Sequence, residues 1–128
     1  MGFEGVLSTS TRSETNVAPT LAQTPEPPYY AVIFASTRRE GDAGYGEMAD
    51  LMVALAEKQP GFLAIDSVRD ADGLGITVSY WSSLDAIREW KANADHQIAQ
   101  RLGRERWYRS YTLRISRVER AYGFDLPE

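Results

Sequence analysis

The run from Tyr29 to Thr37 carries apolar side chains on both of its alternating faces, with Tyr29, Ala31, Ile33 and Ala35 on one and Tyr30, Val32 and Phe34 on the other. Side chains of a strand point to opposite faces in turn, and water tolerates at most one apolar face. Whatever this chain folds into must therefore cover the segment twice.

The next elements follow from period and punctuation. Tyr45 to Lys58 places Met48, Leu51, Met52, Leu55 and Ala56 at helical spacing and ends at Gln59-Pro60-Gly61. Phe62 to Arg69 and Leu74 to Trp81 read as strands joined by Asp70-Ala71-Asp72-Gly73, whose residues suit a hairpin turn. Ser82 and Ser83 can each accept a free N–H at a helix start, and Asp85 suits the positive end of the helix dipole. A second helix is expected over about Ser83 to Leu102, with Leu84, Ile87, Trp90, Ala94, Ile98 and Leu102 on one side and Gly103 as its stop. A long last strand is expected from Tyr108 to about Tyr122, with Tyr111, Leu113 and Ile115 adding an apolar stripe. The order is β-α-β-β-α-β, an α+β ferredoxin-like arrangement with an antiparallel sheet. Two helices cover one face of such a sheet, and the simplest cover for the other is a second copy of the same sheet about a two-fold axis.

Residues 1–28 differ in kind, being rich in Ser, Thr and Pro at Ser8 to Thr11 and Thr20 to Pro28. They read as a flexible arm, leaving 29–128 as the single domain that 128 residues predict. A net charge of −4 offers no general attraction to nucleic acid or anionic lipid. No apolar run approaches the roughly 20 residues of a membrane span, and the N-terminus lacks a signal-peptide pattern, so a cytoplasmic location is expected. With no Cys and one His, thiolate chemistry and a typical zinc site are excluded. Gly41-Asp42-Ala43-Gly44-Tyr45-Gly46 has no following Lys-Ser/Thr pair and reads as a loop at a pocket rim, not a phosphate loop. No Ser-His-Asp arrangement is legible, since His96 adjoins Asp95 and helix neighbours point apart.

Several stretches together resemble the antibiotic biosynthesis monooxygenase domains of the dimeric α+β barrel superfamily. They are Tyr30-Ala31-Val32-Ile33-Phe34, Gln59-Pro60-Gly61-Phe62, Tyr80-Trp81 with Ser83, the Trp90 to His96 segment, and Trp107-Tyr108 with Val118-Glu119-Arg120-Ala121-Tyr122. The resemblance implies a homodimer whose two sheets form a barrel, each protomer holding a pocket between its helices and its sheet. It implies oxidation of a small planar phenolic molecule by O₂ without a bound cofactor, or, in another branch, opening of the haem ring. The haem-degrading branch combines a first-strand Asn with a Trp and a His of the second helical region. Here Trp90 and His96 are present, but Ala31-Val32-Ile33-Phe34-Ala35-Ser36 contains no Asn.

The candidate catalytic residues are Trp90, Asn93 and His96, with His96 as base or hydrogen-bond donor and Trp90 as a wall for the substrate. Trp90 and His96 lie about 120° apart on an unbroken helix and would converge only through a break near Asn93. Without it, His96 is a solvated residue on the outer helix face. Phe34, Tyr80, Trp81 and Tyr108 are candidate substrate-binding residues, and Trp81, Trp90 and Trp107 equally suit core or interface packing. Arg101, Arg104, Arg106 and Arg109, with Glu105 among them, read as a solvated surface or as an attractor of a carboxylate or haem propionate. A non-catalytic dimer that binds a small molecule requires no feature beyond these.

Overall fold

The computed structural model describes residues 20–38, 45–101 and 108–127, with side chains for 20–37, 52–97 and 110–127. Its elements are β1 (Tyr29–Arg38), α1 (Tyr45–Lys58), β2 (Phe62–Arg69), β3 (Leu74–Trp81), α2 (Leu84–Arg101) and β4 (Tyr108–Val118). The strands form one sheet in the order β2-β3-β1-β4, with every neighbouring pair antiparallel. This is the expected β-α-β-β-α-β arrangement, and the two-faced β1 lies between β3 and β4.

Register sorts the inner side chains into rows. Phe62, Trp81, Tyr30 and Arg117 share the first row; Ile65, Ser79, Val32 and Ile115 the second; Ser67, Thr77, Phe34 and Leu113 the third; Arg69, Gly75, Ser36 and Tyr111 the fourth. The core forms where the helices press on the first two rows. Val32, Ala56, Trp81 and Ile87 are buried together, and Tyr30, Phe62, Ala86, Trp90 and Leu113 pack around them. Trp81 is fully buried and donates its indole N–H to Ser79 Oγ at 2.8 Å. Phe62 meets it edge-on, with ring centroids 5.5 Å apart.

The junctions are tightly built. Ser83 Oγ accepts the N–H of Ala86 at 3.0 Å, which is the expected helix cap. Gly61 has φ +92°, and a Cβ there would lie 2.5 Å from Ala86 Cβ, so the turn before β2 sits against the first turn of α2. Ser82 N–H donates to Gly61 O at 2.8 Å, closing the same junction. In the β2–β3 turn, Asp70 Oδ1 accepts the N–H groups of Asp72 and Leu74, both at 2.9 Å.

Two expectations change, and a third feature gains its place. β4 ends at Val118, and residues 119–127 have no regular structure, so the strand is shorter than the apolar pattern through Tyr122 implied. Beyond Val118 the alternation lacks a partner strand. Register places Tyr111, Leu113 and Ile115 on the side of Phe34 and Val32, so this stripe adds to the inner face. Leu84, expected on the packed side of α2, is exposed because it begins the helix beyond the sheet.

The outer face carries Tyr29, Ala31 and Ile33 beside Val78 and Tyr80. Part of it is covered from within the chain. Ala22 N–H donates to Asp66 Oδ1 at 2.8 Å, and Thr24 Oγ1 donates to Tyr29 Oη at 3.0 Å. Val68, Leu74 and Ile76 remain exposed farther along β2 and β3. No helix among the described residues is long and apolar enough to cross a membrane.

Candidate functional site

Beyond the core rows the helices and the sheet separate, leaving a cavity of about 130 Å³. Its floor is Val32 and Phe34 of β1, Ile65, Ser67 and Arg69 of β2, Thr77 and Ser79 of β3, and Tyr111 and Leu113 of β4. Met52, Val53 and Ala56 of α1 and Trp90, Lys91, Ala94 and Asp95 of α2 form its roof. The four α2 residues fall at i, i+1, i+4 and i+5, which is one side of a helix.

The cavity has two chemical ends. Trp90, Val32, Phe34, Leu113 and the α1 residues make an apolar part. Trp90 lies against Trp81, with centroids 5.4 Å apart and planes at 37°. Its indole N–H is buried and makes no hydrogen bond among the described residues, a state that costs about 1–3 kcal/mol. Trp81, in the same cluster, satisfies its own N–H on Ser79. The other end is polar. Ser67 Oγ and Thr77 Oγ1 hydrogen-bond at 2.7 Å across adjacent strands, and Lys91 Nζ pairs with Asp95 Oδ2 at 2.8 Å on α2. Arg69 ends the β2 side of this floor, where the facing β3 residue is Gly75.

The sequence candidates distribute unevenly around this cavity. Trp90 and Phe34 line it. Trp81 lies beneath, in the core. Tyr80 belongs to the outer face, where its O–H donates to Asp66 Oδ2 at 3.0 Å and its ring meets Tyr29 edge-on at 6.0 Å. Burial first, and then the Asp66 carboxylate, push its phenol well above the ordinary tyrosine range. α2 runs unbroken through Asn93, so Trp90 and His96 do not converge. His96 is exposed, and Asn93, also exposed, donates from Nδ2 to Gln59 Oε1 at 3.3 Å, tying α2 to the turn after α1. Trp107, the side chain of Tyr108, the arginine cluster around Arg104 and the glycine loop before Tyr45 lie outside what is described.

Haem does not fit these residues. The one His is absent from the cavity lining, and about 130 Å³ is below the roughly 300 Å³ at which pockets for drug-sized ligands begin. Among the described residues, no group of three His, Asp or Glu side chains is placed to hold a metal ion.

Lys91, Asp95, Arg69, Ser67 and Thr77 were not singled out by sequence reasoning. A signal for the three sheet residues was present: Ser67 and Arg69 on β2, and Gly75, Thr77 and Ser79 on β3, put small or polar residues in every other position of an otherwise inward-facing set. A face that should be packed but is not apolar marks a space.

A ferredoxin-like α+β domain with a mostly apolar cavity between two helices and the inner face of its sheet is the class of protein defined so far. The chain belongs to the antibiotic biosynthesis monooxygenase family, whose profile matches residues 28–102. It is 59% identical over 100 residues to the Bacillus subtilis (strain 168) protein YqjZ, itself described as uncharacterized, and the match covers 78% of this chain and 88% of that one. Among solved structures it is similar to PA3566 of Pseudomonas aeruginosa, at 19% identity with a TM-score of 0.58, covering 77% of this chain and 99% of that one. It is also similar to SnoaB, a cofactor-independent oxygenase from Streptomyces nogalater, at 19% identity with a TM-score of 0.56, covering 80% of this chain and 100% of that one.

Proposed function

We propose that this chain is a homodimeric, cofactor-independent monooxygenase that oxidises a small planar phenolic molecule in the cavity beneath α2. The observation that carries the reading is Trp90, a ring wall of the cavity whose buried indole N–H makes no hydrogen bond among the described residues. The N–H has almost no accessible surface here, so a phenolate oxygen takes it as a donor only once the Trp90 ring shifts to present it. Asp95 is the one carboxylate in the described lining and takes the phenolic proton.

The substrate supplies every electron. A phenolate passes one electron to O₂, and the resulting radical and superoxide combine at a ring C–H carbon ortho or para to the phenolate oxygen, forming a C–O bond and, with the proton taken from the phenol, a hydroperoxide. Cleavage of the O–O bond with loss of the hydrogen on that carbon leaves a quinone carbonyl and water. The sum is phenol + O₂ → quinone + H₂O, in which one oxygen atom enters the product and the ring loses the four electrons that O₂ gains. The protein's part is to hold the phenolate by a fixed donor in an apolar surround, where such a hydrogen bond counts for more than in water. SnoaB, a cofactor-independent oxygenase of the same fold, supports this reading.

The test is turnover of an electron-rich phenol under ¹⁸O₂, with a chelator present, by the natural protein, Trp90→Phe and His96→Ala. Trp90→Phe keeps a ring and removes the donor, and it should lower kcat by about 100-fold, the usual effect of losing one donor to a developing oxyanion. His96→Ala should leave at least half the activity if the exposed position of His96 is the working one; a loss equal to that of Trp90→Phe would restore His96 as the base. Absence of ¹⁸O from the product would defeat the monooxygenase reading.

A further inference from the structure

Of the described hydroxyls that line the cavity, Ser79 is the buried one, at 4% exposure. It stands on the inner face of β3, in a row whose other members are Ile65, Val32 and Ile115. A hydroxyl has one hydrogen to give and two lone pairs that accept. One lone pair of Ser79 Oγ takes the indole N–H of Trp81 at 2.8 Å, while its own hydrogen goes to no described residue. The second floor pair differs: Ser67 and Thr77 bond to each other at 2.7 Å, and Ser67 is exposed. A buried donor without an acceptor is a cost that a bound oxygen relieves. Accepting from Trp81 also polarises the Ser79 O–H, because hydrogen bonds in a chain strengthen one another. Trp81 is well fixed for this purpose. It is fully buried, meets Phe62 edge-on and lies 5.4 Å from the Trp90 ring, so it joins Ser79 to the cavity wall.

We propose that Ser79 is a catalytic residue whose O–H donates to the phenolate oxygen of the substrate, and that Trp81 is the positioning residue that orients and polarises it. The inference rests on the phenol-binding reading above and supplies that reading with a further donor. The indole N–H of Trp90 reaches a phenolate only through a ring shift, whereas the Ser79 hydrogen turns about one C–O bond. The phenolic proton still leaves for Asp95, and Ser79 keeps its own. A neutral, fixed donor stabilises the anion in this way without itself changing charge, which is the action of an oxyanion site. The volume agrees with a single-ring phenol. About 130 Å³ is close to the roughly 150 Å³ of an apolar cavity that takes up benzene.

The experiment binds 4-nitrophenol, whose phenolate is coloured, to the full chain and follows ionisation of the bound probe against pH. A donor on the phenolate oxygen favours the anion. Ser79→Ala should therefore raise the apparent pKa of the bound probe by at least about one pH unit, the scale of one charge-assisted hydrogen bond. Ser79→Thr keeps the hydroxyl and should hold the natural value. Trp81→Phe keeps a ring and removes the indole N–H, and it should raise the apparent pKa by a smaller amount. Ser79→Ala leaves the Trp81 N–H unpaired, so the double variant Ser79→Ala with Trp81→Phe, which removes both partners, is measured beside it, with circular dichroism verifying the fold. It should show the full rise. An unchanged apparent pKa in the folded single or double variant would overturn the role of Ser79 and leave the phenol site standing. Failure of 4-nitrophenol to bind the natural protein at millimolar concentration would overturn the phenol site and this inference with it.

Discussion

Gly61 shows how much one position can hold. Its φ of +92° is a conformation that side-chain-bearing residues reach at a cost of about 1–2 kcal/mol, and a methyl group would also meet Ala86 Cβ at 2.5 Å. Gly61→Ala should therefore destabilise the fold by about 2–3 kcal/mol, measured as a shift in the urea midpoint. Tyr80 offers a second residue-scale test. Because its phenol is raised above its unfolded value of 10.0, the folded state holds that proton more tightly than the unfolded chain. The associated stability is complete below about pH 10 and declines as pH rises beyond it. In an alkaline titration followed by phenolate absorbance, Tyr80→Phe should remove the last component to ionise before unfolding. It should also flatten the fall of melting temperature above pH 10. Loss of an early component instead would contradict the buried contact with Asp66.

At the scale of elements, boundaries were legible wherever a local chemical reason fixed them. The Ser83 cap, the Asp70 turn and the Pro60-Gly61 stop each bind their own backbone neighbourhood, and α1, β2 and β3 have the bounds the sequence predicted. The expected end of β4 at about Tyr122 lies too far along because Val118, Ala121 and Tyr122 still offer apolar residues, whereas the alternation has already broken at Arg117 and a strand also needs a neighbour to pair with; β1 begins at Tyr29 opposite Val118. The site was legible to a lesser degree. Trp90 and Phe34 could be found as aromatic residues on inward faces. Lys91 and Asp95 could not, because an i,i+4 ion pair is the ordinary dress of a solvent-facing helix surface. Only the sheet register shows that this flank of α2 overhangs Ser67 and Thr77 instead of water.

Across the whole molecule, the sheet has one face that helices cover and one that they do not. Val68, Leu74 and Ile76 leave a row of exposed apolar side chains at one end of the outer face, while residues 20–28 hydrogen-bond to Asp66 and Tyr29 at the other. The proposed homodimer is the arrangement that buries this row. Light scattering should return about twice the chain mass of 14.3 kDa, and Ile76→Lys should return the single mass with an unchanged circular dichroism spectrum. A dimer that survives Ile76→Lys would move the interface elsewhere. Tyr122, Phe124 and Leu126, exposed along the segment after β4, are a second apolar surface on the same molecule.

The indoles of Trp81 and Trp90, 5.4 Å apart and tilted by 37°, are close enough for their electronic transitions to couple. One belongs to the core and the other to the cavity wall, so the pair forms a single chromophore spanning both. The native protein should then carry a paired positive and negative band in its far-ultraviolet circular dichroism that neither tryptophan gives alone. A guest stacked on Trp90 would change the sign balance of that couplet before any chemistry occurs, making occupancy visible as an optical handedness.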